Sequence, residues 1–242
     1  MNNPSSGGRG NDTRNLIMQA AARQFAHREY HEVCLEDILA EAGLTKGAMY
    51  FHFHSKYALA IAIIDEHVSA VGAAFHERLA RKLSGLETLI DFTFYVATQD
   101  TGHEPTRAAM NLAVTVGRGE QASAELSKSW LRSYADALRD AIAEGDIVAE
   151  CEPRDLARLM VSTYIGLRQT SDLDDPARFM RDLEQCWRLV LAGNLQSDRA
   201  DYFSQFIGRR AAMAISAVPL DESILPMPIQ CAHDQQRDGT CC

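Results

Sequence analysis

Leu126, Trp130, Tyr134, Leu138, Ala141 and Ile142 recur at three- or four-residue intervals and stop just short of Gly145. Only an α-helix brings such positions onto one face, and a helix with one apolar stripe must bury it against another element. The period returns in Leu156, Leu159, Met160, Thr163, Tyr164 and Leu167 behind Pro153, and in Phe179, Met180, Leu183, Trp187 and Val190 behind Pro176. Proline suits a first helical position, where its missing N–H costs nothing. Ala, Leu, Glu, Asp and Arg dominate the middle of the chain, which favours helices over strands. The expected fold class is all-α.

The front of the chain reads as shorter helices. Asp12 is an expected N-cap for a first helix carrying Leu16, Ile17, Ala20, Ala21 and Phe25. Glu36 opens a second with Ile38, Leu39 and Ala42, and Gly43 stops it. Thr45 caps a very short third helix through Tyr50, and Ser55 caps a fourth that continues to about Leu83. Later helices are expected around Leu89 to Ala97, from Glu104 and Pro105, and from Ser197 to about Ser216. Residues 1–10 are Gly- and Ser-rich and read as a disordered arm; residues 218–242, with Pro219, Pro226 and Pro228, read as a disordered tail.

Between the second and fourth helices lies LTKGAMYFHFHSKYAL, Leu44 to Leu59. Short helix, Gly-containing turn, short helix is a helix-turn-helix, whose second helix enters the DNA major groove with its N-terminal residues on the bases. The groove is about 12 Å wide, room for one helix. Gly47 and Ala48 let the backbone approach, Lys46 reaches a phosphate or a guanine edge, and Tyr50 and His52 reach phosphates at the far end. Lys56, with the free N–H groups opening the fourth helix, is a further expected phosphate clamp. Phe51 and Phe53 are expected in the core.

The net charge of −9 argues against a polyanionic partner only until its distribution is read. Residues 1–56 carry six basic and six acidic side chains, so the rest, 18 basic against 27 acidic, holds the whole deficit. The longest apolar run, Ala58 to Ile64, falls far short of a membrane span, and the N-terminus lacks an apolar signal core, so a cytoplasmic location is expected. Cys34, Cys151, Cys186, Cys231, Cys241 and Cys242 show no C-x-x-C spacing and read as reduced thiols. His52 and His54 are two residues apart and do not share a helix face, so no metal or cofactor is expected. G-x-S-x-G, a P-loop and H-E-x-x-H are absent, and an enzyme is not expected.

The segment VCLEDILAEAGLTKGAMYFHFHSKYAL resembles the DNA-binding domain of the TetR-type repressors, whose pattern runs AG(V/L)(S/T)KG.(L/F)Y.HF..K..L. Further on, RAAMNLAV, SWLRSYADALRDAIAEGDI and LEQCWRLVLAGN are similar to the γ-butyrolactone receptor branch, autoregulators of antibiotic production that bind butyrolactones, furans or butenolides. The resemblance implies a helix-turn-helix domain at 11–56 and a larger ligand-binding and dimerisation bundle at 57–217. It implies DNA contact from Thr45, Lys46, Gly47, Tyr50, His52 and Lys56, supported by Thr13 or Arg14, and a ligand covered by Trp130.

Tyr134, Tyr95, Thr163 and Tyr164 are polar-tipped residues on apolar stripes and are further candidates for the ligand. Where the branch commonly has a G-V-Q run, this chain has Gly166, Leu167 and Arg168; Arg168 would suit a carboxylate, leaving the ligand open between a neutral lactone and a furan carboxylic acid. Phe179 and Trp187 are expected at a helix-pair dimer interface, with Arg178, Arg181 and Arg188 as its solvated rim. The expected partners are operator DNA, a second copy of the chain and a small molecule. The alternative is a helical TetR-like regulator, or an interaction module that has lost DNA binding, responding to another ligand or to none.

Overall fold

A computed structural model describes residues 6–116 and 121–217 of the protein. Among the described residues there are ten helices: α1 (Ser6–His27), α2 (Leu35–Ala42), α3 (Lys46–His52), α4 (Lys56–Leu79), α5 (Gly85–Gly102), α6 (Glu104–Thr115), α7 (Gln121–Ala143), α8 (Pro153–Thr170), α9 (Pro176–Leu191) and α10 (Ala200–Ala217). Among the described residues there is also one isolated antiparallel bridge, Ile147 to Leu195. The all-α class is as expected. The expected tail at 218–242 and the first five residues of the expected arm lie outside the described residues. From Ser6 the chain is helical, so Asp12 lies inside α1 rather than capping it.

The local signals that build the front end are visible atom by atom. Gly43 has φ of 67°, a left-handed conformation that favours glycine, and the Leu44 N–H closes the end of α2 on the Leu39 carbonyl at 3.0 Å. Two residues later the Thr45 hydroxyl accepts from the Ala48 N–H at 3.3 Å, and Ser55 accepts from Ala58 at 3.0 Å. α4 stops at Leu79, short of the expected Leu83, because Ser84 and Glu87 form a reciprocal capping box that starts α5 at Gly85.

Two apolar cores result. One joins α1, α2, α3 and the first half of α4 to Ala108, Ala109 and Leu112 of α6; the other gathers α5 and α7–α10 around Leu89, Phe92, Leu138 and Phe179. α4 belongs to both, placing Leu59, Ala60, Ile63 and Ile64 in the first and Val71 and Phe75 in the second. By length and composition α4 is apolar enough to cross a membrane, contrary to the reading of the sequence; these buried side chains give that apolarity a packing role. Its far end is pinned to the body, where Asp91 lies 3.2 Å from Arg78 and 3.0 Å from Arg210 of α10.

Candidate nucleic-acid interface and ligand pocket

α3 has an inner and an outer side. Met49 and Phe53 are buried, while Lys46, Gly47, Tyr50 and Phe51 are exposed. Positions 49 and 53 are one helical turn apart, whereas 51 and 53 point in different directions. Phe51 is therefore not core, as expected from sequence, but 79% exposed, its ring edge-on to His52 at 4.9 Å. A side chain at Gly47 would meet only the Thr45 hydroxyl, at 3.8 Å, so nothing within the fold demands glycine there. Lys46 pairs with Glu36 at 2.7 Å on the surface, raising the lysine pKa and lowering that of the carboxylate. Such an exposed pair is weak and easily exchanged for a phosphate.

Around α3 the remaining residues divide. The Arg14 guanidinium lies over the Phe53 ring at 5.4 Å, bracing α1 against α3, and Thr13 and His52 are half-buried. Lys56 is committed elsewhere: its ammonium donates to the carbonyls of Tyr30 at 2.7 Å and Val33 at 2.9 Å and lies 4.2 Å from the centre of the Tyr30 ring. That corrects the expected phosphate clamp, since Lys56 holds the α1–α2 connection onto α4.

Trp130 is half-buried and packs against both cores. It lines a cavity of about 60 Å³ together with Val68, Val71, Gly72 and Phe75 of α4, and with Phe92 and Tyr134. Tyr134 also borders a neighbouring cavity of about 20 Å³, shared with Thr163, Tyr164 and Trp187. Burial pushes the Tyr134 hydroxyl up to about 12, against the hydrogen bond it shares with Thr93 at 3.0 Å, so it is a neutral hydrogen-bonding group. A cavity that holds a benzene ring measures about 150 Å³, so these spaces are small and a ring-sized ligand has to push their walls apart. One wall is α4.

Four candidates are placed otherwise than expected. Tyr95 lies under the Arg78 guanidinium at 3.8 Å and borders neither cavity. Arg168 is buried and bound to Asp100 at 2.6 and 3.1 Å, to Asn111 at 2.8 Å and to the Arg107 carbonyl at 3.3 Å. An internal carboxylate thus takes the place expected for a ligand's, which removes the argument for a furan carboxylic acid. Phe179 and Trp187 are buried inside a single chain, Phe179 edge-to-face with Tyr164 at 6.2 Å, so neither is an interface residue. Arg188 is tied to Glu184 at 2.7 Å and to the Ser204 carbonyl at 3.0 Å, with about a third of its side chain exposed.

The Arg168 cluster extends beyond its pair. The Tyr164 hydroxyl donates to Asp100 at 3.2 Å, and the amide of Asn111 donates to the carbonyls of Phe25 and Ala26 at the end of α1. A polar chain therefore runs from the rim of the smaller cavity, through α5, α8 and α6, to the first helix of the head. Neither Asp100 nor Asn111 stood out in the sequence, although a polar residue within a strongly apolar helix, as Asp100 is, marks a buried partner. Among the described residues no cluster of three or more His, Cys, Asp or Glu side chains is placed to hold a metal.

Residues 17–63 match the family of bacterial regulatory proteins of the tetR type. The A-factor receptor protein of Streptomyces griseus is 29% identical over 180 residues, which is 72% of this chain and 61% of that protein's length. Among solved structures, a γ-butyrolactone receptor (ArpA-like protein) superposes with a TM-score of 0.74 at 28% identity, covering 85% of this chain and 99% of the other. CprB of Streptomyces coelicolor in complex with its operator sequence superposes with a TM-score of 0.73 at 29% identity, over 84% and 98% of the two chains. The chain thus carries a tetR-type regulatory domain and resembles γ-butyrolactone receptors through its helical body. Its relatives are regulators and receptors, not enzymes.

Proposed function

We propose that the protein is a cytoplasmic, homodimeric repressor that holds a roughly palindromic operator and releases it on binding a small uncharged signalling molecule of the butyrolactone or butenolide class. Support for DNA binding comes from the outward side of α3, where Thr45, Lys46, Gly47, Tyr50 and Phe51 are exposed together. Two copies would present this helix at about one DNA turn, 34–36 Å. For pairing we favour α9 with α10, whose Leu189 and Met213 are 67% and 60% exposed.

The position of Trp130 carries the ligand reading. Its cavity is walled by the middle of α4, whose first half builds the head's core and whose end is anchored on Asp91. Widening the cavity displaces α4 and tilts α3 away from its twin in the second copy. A hundredfold release needs only about 2.7 kcal/mol of coupling. With Arg168 satisfied internally and Tyr134 neutral, a lactone carbonyl fits this lining better than a carboxylate.

The test is a mobility shift on the DNA upstream of the protein's own gene, titrated with γ-butyrolactones. Wild type is expected to bind and be released. Trp130→Ala is expected to bind equally well yet resist release; release unchanged in that variant would return Trp130 to the core.

A further inference from the structure

A second cleft, of about 170 Å³, opens at the seam of α1, α4 and α6, apart from the Trp130 cavity. Met18, Ala22, Ile63, His67 and Thr106 form its buried floor. Gln19, Glu66, Ala70, His103 and Pro105 form its exposed rim. This is where head and body are joined, because α6 packs on both α1 and α4.

His67 is the unusual group. It is 8% exposed, and its Nε2 has no hydrogen-bond partner among the described residues. Burial first, then the charges of His103 and Arg168, push its pKa down to about 4, so the ring is neutral near pH 7. A buried polar atom without a partner is a cost to the fold, and an aliphatic side chain would pack there without it. The Thr106 hydroxyl lies in the same floor, 3.2 Å from Nδ1 of His103.

The lining selects by charge and size. It holds no lysine or arginine to meet an anion, and its one carboxylate, Glu66, stands on the exposed rim, where a cation would remain in water. Cavities of about 150 Å³ with apolar walls hold a benzene ring. We propose that the cleft is a separate ligand site for a small uncharged ring compound bearing a hydroxyl, with the ring against Met18, Ala22 and Ile63 and the hydroxyl on the His67 imidazole. Occupancy braces α4 against α1 and α6, opposing the tilt described above. That effect on operator release rests on the repressor reading; the binding does not.

The test uses the full chain without DNA, so its failure is distinct from failure of the repressor reading. Phenol and benzene are titrated by calorimetry and thermal shift near pH 7. Wild type is expected to bind phenol in the millimolar range, about tenfold more tightly than benzene for one added hydrogen bond. Ala70→Phe, at an exposed position, should fill the mouth and abolish binding of both. His67→Leu should retain benzene but bring the phenol-to-benzene ratio to about one. Absence of saturable phenol binding, equal binding by Ala70→Phe, or a ratio unaffected by His67→Leu would overturn the proposal.

Discussion

The guanidinium of Arg168 meets the carboxylate of Asp100 at 2.6 Å, with the two side chains 2% and 0% exposed. Removing one member of such a pair strands a buried charge, typically at about 3–5 kcal/mol, whereas replacing both with apolar groups is often close to neutral. Arg168→Met is therefore expected to lower the unfolding free energy by about 3–5 kcal/mol, and Arg168→Met with Asp100→Leu to recover most of it. Urea unfolding of the single and double variants checks this. Near-equal loss in both would mean that the other bonds to Asn111 and Tyr164 dominate.

Phe51 is expected to matter for DNA and not for stability. Phe51→Ala should leave the unfolding free energy from urea within about 0.5 kcal/mol of wild type, because an exposed side chain gives up little burial. Operator affinity should fall about five- to tenfold as an apolar contact to a thymine methyl is lost. Replacing operator thymines singly with deoxyuridine should identify that base: one substitution should weaken wild type and have no effect on Phe51→Ala.

His67 makes stability depend on acid. Its folded pKa of about 4 lies below the unperturbed 6.5, so the unfolded chain takes up a proton that the folded chain refuses. Its contribution is complete above pH 6.5 and is lost as pH falls towards 4, where about 3 kcal/mol has gone. His67→Leu should flatten the stability profile across that window. A profile unchanged by the substitution would mean that other groups carry the acid response.

What the sequence revealed was mostly what one helix decides for itself. The stripes of α7, α8 and α9, the stop at Gly43 and the caps at Thr45 and Ser55 all follow from period, φ and local hydrogen bonds. Partner choice was illegible where two chemistries suit one residue. Lys56 is as suitable for a phosphate as for two carbonyls, and Arg168 as suitable for a ligand as for Asp100, until the fold supplies a partner. Phe179 and Trp187 lie on the stripe that packs inward, and one stripe cannot serve both the core and a second copy. Phe51 was within reach of the sequence, since residues two apart on a helix cannot both face inward with Met49.

The most direct measurement of the central claim, that the outward side of α3 grips DNA, is the salt dependence of operator binding by wild type, Lys46→Ala and Lys56→Met. Each phosphate neutralised contributes about 0.9 to the slope of log affinity against log salt. Lys46→Ala is expected to flatten the slope by about that amount per α3 helix, and Lys56→Met to lower stability while leaving the slope as in wild type. A slope near zero in wild type, or one lost with Lys56 and kept without Lys46, would contradict the account.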